Sequence, residues 1–227
     1  MRSRSARIAG VLYLLSVVVG WYFLRYLPDR FIADGDAVAT AHNIAANASF
    51  FHVAIAGDLL LGVLWLAVVL ALYRALENVD PFTALLMLVL GAYMQVPLYF
   101  VNAANYAGAL FFATDTSVLA AFPEGQRSAL VMAFIRFHHI QLLASFVFAG
   151  LWLFPLGILV WKSRVVPRFL SVWLILNGFA WLAVVLAGFL APQYASSVGT
   201  LAIPFELGEI LTACWLAIAP RGERTPL

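Results

Sequence analysis

Apolar residues in this chain come in runs too long for a soluble core, separated by short polar breaks. At about 20 apolar residues for each crossing of a hydrocarbon layer, six stretches qualify: Ile8–Tyr26, Phe51–Leu76, Phe82–Phe112, Ala129–Trp161, Phe169–Ala191 and Val198–Ala219. The third and fourth exceed one crossing, so the pattern predicts tilt, extension into the headgroups, or kinks at Pro97 and Pro155. Between the first two, Asp36, Thr40, Asn43 and Asn47 recur at helical spacing opposite Ala37, Val38, Ala41, Ile44, Ala45 and Ala48. That spacing predicts a short amphipathic helix, lying in the interface plane or roofing a cavity. The expected fold is all-α: one membrane domain over residues 1–227, a six-helix bundle with an amphipathic helix between its first two spans.

Composition agrees. Of the 227 residues, 64% are hydrophobic and 11% charged, against about 25% charged in soluble domains. The partner this implies is the lipid bilayer. The net charge of +2 comes from terminal and loop arginines and not from a basic face, which argues against nucleic acid. The single cysteine, Cys214, excludes an intrachain disulfide and a thiolate zinc site. Lys and Arg counted by loop place nine on one side (Arg2, Arg4, Arg7, Arg74, Lys162, Arg164, Arg168, Arg221, Arg224) and three on the other (Arg25, Arg30, Arg127). The positive-inside rule then predicts cytoplasmic termini, with the segments 27–50 and 113–128 facing outward. Arg2, Arg4 and Arg7 before the first span, with no small-residue cleavage site after it, predict a retained helix. Trp21, Tyr22, Tyr26, Trp161 and Tyr194 read as interfacial anchors.

Against this background the polar side chains inside the spans carry the chemistry. Asp58, Arg136, Glu206 and Glu209 ionise, and each charge at a helix centre costs roughly 2.5–3.5 kcal/mol on insertion scales. Counted at 1.5 Å per residue, Asp58, Asn102, Asn105, Arg136, His138, His139, Glu206 and Glu209 fall about 10–16 Å into their helices from the outward ends. Gln95, Asn102 and Asn105 share a helix face, with Tyr99 and Tyr106 beside them; His138 pairs with Gln141, and Arg136 with His139, at three-residue spacing. Asn177 is the polar group toward the inner side of the fifth span. Glu206 and Glu209 lie one turn apart, and two carboxylates at low dielectric require a proton, a cation or Arg136 between them.

Two kinds of reading follow from these residues. In the functional one, Asp58, Asn102, Asn105, Arg136, Gln141, Glu206 and Glu209 line a ligand pocket, and Asp58, His138, His139, Glu206 and Glu209 hold a divalent metal. Oxygen and imidazole donors suit zinc, iron or manganese better than copper(I). In the structural reading, Arg136 and a glutamate form an ion pair, and the amides brace neighbouring helices. Haem ligated by two histidines is a further candidate. A multihaem carrier is improbable, because two of the four histidines, His42 and His52, lie near the outer boundary. No lysine lies inside a span to form a retinal Schiff base, and no H-E-x-x-H, G-x-S-x-G or Walker motif occurs.

The order of short segments is similar to a known family. The run from Arg7 to Leu14, Gly35-Asp36-Ala37 leading to Asn43-Ile44, and Gly57-Asp58-Leu59-Leu60 resemble the opening of the bacterial membrane family named domain of unknown function 4386. Phe148-Ala149-Gly150-Leu151-Trp152, Leu156-Gly157, Ser163, Pro167-Arg168-Phe169-Leu170, Gly178, Glu209 and Trp215 resemble its second half. The resemblance implies a small multi-pass protein of a bacterial cytoplasmic membrane, supports Asp58, Glu209 and the His138-His139 region as site residues, and transfers no reaction. The leading expectation is a binding or sensing module with an outward polar pocket for a metal or a small polar or lipid ligand. The alternatives are a metal-assisted intramembrane hydrolase and a proton- or cation-coupled transporter.

Overall fold

The computed structural model describes residues 3–27 and 30–218. The expected end of the last span at Ala219, and Arg2, Arg221 and Arg224, lie outside the described residues. Helices run as α1 (Ser3–Gly20), continued by a π-helical turn (Trp21–Tyr26), α2 (Ala37–Ala46), α3 (Ala48–Leu76) and α4 (Pro81–Leu88), continued by a second π turn (Val89–Tyr93). They go on as α5 (Val96–Thr114), α6 (Thr116–Ala121), α7 (Glu124–Leu151), α8 (Leu153–Ser163), α9 (Arg168–Leu190) and α10 (Ala195–Ile218). No strand occurs among the described residues. Six helical stretches are long and apolar enough to cross a bilayer: Arg4–Leu24, Ala48–Leu76, Pro81–Thr114, Glu124–Ser163, Arg168–Leu190 and Pro192–Ile218. Large apolar side chains such as Phe82, Leu190 and Leu201 stand exposed along them, as a lipid environment allows.

Both overlong spans break where proline dictates. Pro155 sits in the first turn of α8, where a missing N–H is harmless, and the fourth span turns at Trp152. Pro97 likewise opens α5, after the π turn and a break at Met94 and Gln95. That break releases carbonyls, and side chains collect them. Gln95 Nε2 donates to the Leu90 and Phe148 carbonyls at 3.3 and 3.2 Å, and Trp65 Nε1 donates to the Gly91 carbonyl at 2.8 Å. Gln95 therefore repairs a kink, and the interruption of the helix removes it from the face that Asn102 and Asn105 share.

Contacts group the chain into two compact units. The first comprises Met1–Val17, Val63–Val96 and Leu143–Leu227. Its helices cross closely where glycines meet: a Cβ on Gly178 would lie 2.9 Å from the Gly150 carbonyl oxygen, and one on Gly150 would lie 2.8 Å from that of Gly178. Tyr13, Trp65 and Trp152 form a buried aromatic triangle with centroids 5.0–5.9 Å apart.

Just before the third span, Asp80 caps α4 by accepting from Thr83 N at 3.1 Å and binds Lys162 Nζ at 2.6 Å. These bonds, that to Lys162 foremost, hold the Asp80 carboxyl down at about 2 from an ordinary 3.8. A depressed carboxylate stabilises the fold above its unfolded value and loses that contribution as pH falls through the folded one. Thermal stability in detergent is thus expected to decline modestly from about pH 4 toward pH 2, with Asp80→Asn lacking this component. A variant profile identical to wild type over that window would refute the assignment.

The second unit comprises Val18–Gly62 and Pro97–Leu142. Its core gathers Phe31, Ile44, Phe51, Tyr106, Val131 and Ile135. The amphipathic helix is α2. Gly35, at φ 79°, makes the turn that presents Asp36 as N-cap to Ala39 N at 2.9 Å. Thr40 is buried and exchanges hydrogen bonds with Ala33, and Asn43 Nδ2 donates to the Phe31 carbonyl at 3.4 Å. Thr40 and Asn43 of the polar stripe of α2 thus satisfy the preceding loop, while Ala41 and Ile44 enter the core. Trp21 stacks on Tyr26 at 5.4 Å, and the Arg30 guanidinium lies 5.0 Å from the centre of the Tyr26 ring.

Candidate functional site

Asp58 on α3 and His138 on α7 face each other inside the second unit. His138 Nδ1 and Asp58 Oδ2 are 3.9 Å apart, beyond hydrogen-bonding distance. Their side chains are 1% and 0% exposed for Asp58 and His138 respectively. Both carboxyl oxygens and both ring nitrogens are buried without a hydrogen-bond partner. The Asn102 main chain lies against the imidazole as a weak hydrogen-bonding neighbour, short of full hydrogen-bond geometry. Buried polar atoms are nearly always paired, which sets these two side chains apart from the rest of the core.

The surroundings hold this pair rigidly. Tyr106 stacks on the His138 ring at 3.6 Å and 13°, and Phe51 meets Tyr106 edge-on at 5.3 Å. Behind Asp58, Gly57 admits the Phe23 ring, which lies 2.2 Å from where a Cβ would stand. The close neighbour of this glycine is therefore an aromatic ring and not a second backbone. One turn away, an amide chain links α5 to α7. Asn105 Nδ2 donates to Asn102 Oδ1 and to Gln141 Oε1, both at 3.0 Å, and Gln141 Nε2 donates to the Leu98 carbonyl at 3.2 Å. Asn102 and Asn105, placed on one face by their spacing, thus meet Gln141, and the three brace helices beside the pair.

Glu209 has its own setting in the first unit. It accepts from the Tyr13 hydroxyl, from Asn177 Nδ2, and from Trp181 Nε1 at 3.2 Å. Three neutral donors from α1 and α9 thus surround this carboxyl group, for which a proton, a cation or Arg136 was expected. Glu206, one turn earlier, is half-buried without an ion-pair partner among the described residues. Arg136 is exposed on α7 and likewise unpaired among the described residues. His139 is exposed while His138 is buried, because consecutive residues on a helix point about 100° apart; their rings are 5.8 Å apart and inclined at 70°.

Among the described residues, no group of three or more His, Cys, Asp or Glu side chains gathers to hold a metal ion. The expected set of Asp58, His138, His139, Glu206 and Glu209 contributes one close contact of this kind, that of Asp58 with His138. Tyr13, Tyr106, Asn177 and Trp181 complete the two polar settings without having been singled out as site residues. Tyr106 had a signal, on the strip beside Asn102 and Asn105. Trp181 had none.

A groove of about 590 Å³ in the second unit is lined by His52, Ile55, Ala107, Thr114 and Asp115 among others. Ile55 precedes Asp58 by one turn and Ala107 follows Tyr106, but Asp58 and His138 do not line the groove. Six apolar spans with a buried carboxylate–imidazole pair define an α-helical multi-pass membrane protein. The chain belongs to the family described as Domain of unknown function (DUF4386), whose model matches residues 8–219. No curated protein and no solved structure matches it.

Proposed function

We propose that the protein is a membrane-embedded binding module whose site is the Asp58–His138 pair. The single observation behind this reading is that four polar atoms of these two side chains are buried without hydrogen-bond partners. A carboxyl and an imidazole together offer both acceptors and a donor, so the fitting ligand is a small molecule with a hydroxyl or amino group. Tyr106 orients the ring, the amides of Asn102, Asn105 and Gln141 fix the helices, and a ligand reaches the buried pair by local opening beside the groove at His52 and Asp115. With cytoplasmic termini in a bacterial cytoplasmic membrane, this groove opens outward. A divalent metal at the pair would need ligands from the bound molecule or water, since the protein offers two.

The test is small-molecule mass spectrometry and elemental analysis of material released on denaturing the purified protein. Wild type is expected to release one species near stoichiometric amount, and folded Asp58→Asn and His138→Ala to release less than about a tenth of it, as expected when about 1.4 kcal/mol or more of binding free energy is lost. Equal release from all three would reject the site. The coupled-transport alternative draws support from Glu209, a carboxylate held by neutral donors alone. Proteoliposome proton flux unaffected by Asp58→Asn and by Glu209→Gln would remove it.

A further inference from the structure

Arg136 belongs to neither polar setting. It lies within an apolar span, is exposed, and has no ion-pair partner among the described residues. A lone cation there needs an anion or a route to water. Its surroundings indicate which. Ala129, Ala133, Arg136, Phe137 and Ile140 follow one another at helical spacing along α7 and, with Ala37 of α2, line a groove of about 370 Å³. The alanines leave the channel open, and Phe137 and Ile140, 56% and 50% exposed, extend it as an apolar wall. From Ala129 to Ile140 the helix rises about 16 Å, the length of a substantial part of an acyl chain.

The position of the charge suits a lipid headgroup. Helix α7 starts in polar sequence, with Glu124, Gln126, Arg127 and Ser128, and turns apolar at Ala129. Arg136 is seven residues further, about 10 Å along the axis. Side chains on a helix lean toward its N-terminus, so the long arginine stem leans back toward that polar end. Its apolar part then lies along the groove and its guanidinium reaches headgroup level.

We propose that Arg136 and this groove form a binding site for an anionic phospholipid. The guanidinium donates two hydrogen bonds to the phosphodiester oxygens, and one acyl chain lies along Ala129, Ala133, Phe137 and Ile140. A planar fork of donors matches phosphate geometry better than an ammonium does. The site is independent of the Asp58–His138 reading, since it uses the opposite character of α7, its exposed face.

The test is native mass spectrometry of the full-length protein in detergent, with equal concentrations of phosphatidylglycerol and phosphatidylcholine carrying the same acyl chains. Wild type is expected to retain phosphatidylglycerol about five-fold more than phosphatidylcholine. Arg136→Gln should abolish the preference while leaving the thermal midpoint in phosphatidylcholine unchanged, Arg136→Lys should keep part of it, and Ala133→Phe should lower retention of both lipids. Equal retention by wild type, or a preference that survives Arg136→Gln, overturns the proposal. So does loss of the phosphatidylglycerol preference on adding an equal concentration of inorganic phosphate, which would make this a soluble-anion site. Arg136-dependent dimerisation in lipid-free detergent would also overturn it, as the groove would then seat a second copy.

Discussion

Replacing both members of the buried pair at once, as Asp58→Leu with His138→Phe, is expected to leave the protein as stable as wild type or more stable by about 1–4 kcal/mol. The reason lies in their geometry. Asp58 and His138 are 3.9 Å apart and buried, and neither makes a hydrogen bond. The native fold therefore bears their desolvation with little return, and apolar side chains of similar volume would relieve it. A phenyl ring at 138 would also keep the stack on Tyr106, which lies 3.6 Å from the imidazole. His138→Phe alone should cost no more than about 1 kcal/mol, because no hydrogen bond to Asp58 is lost with it. Unfolding midpoints in detergent, followed by tryptophan fluorescence, check both. A double variant less stable than His138→Phe would mean that the pair is structural, and the proposed site would lose its foundation.

Glu209→Ala should be among the most damaging single changes in the first unit. It removes the acceptor group shared by three donors, the Tyr13 hydroxyl, Asn177 Nδ2 and Trp181 Nε1. At about 1–3 kcal/mol for each unsatisfied buried group, the loss should reach about 4 kcal/mol after allowing for non-additivity. Glu209→Gln retains a carbonyl oxygen for two of the donors, and the Tyr13 hydroxyl can rotate to accept from the new amide. It should cost less than half as much. Tyr13→Phe removes one donor and should cost about 1 kcal/mol. The same unfolding assay ranks the three, and an order in which Gln is worse than Ala would show that charge at 209, and not acceptor count, holds these helices together.

The two polar settings differ in how far they could be foreseen. Asp58 and His138 stand out in any reading because ionisable groups are costly inside apolar spans. Their mutual approach does not, since it requires α3 and α7 to be turned toward each other. Glu209 stands out equally, yet its partners are a tyrosine, an asparagine and a tryptophan that a sequence offers for many other roles. The expected pairing of Arg136 with an acidic residue rested on charge alone. An exposed arginine with an apolar groove beside it shows in no spacing rule.

Hydropathy by itself determined the six spans, the amphipathic helix after the first, and the breaks near Pro97 and Pro155, because each depends on local composition and on backbone chemistry that proline alters wherever it stands. Only the tertiary structure decided which polar groups meet. In a bilayer the lipid-facing and helix-facing sides of a span are both apolar, so the pattern carries little about rotation, and small contacts such as Gly150 against Gly178 set how helices turn toward one another. That rotation buries His138 against Asp58, leaves His139 and Arg136 on the outside of the same helix, and gives Glu209 to three neutral donors.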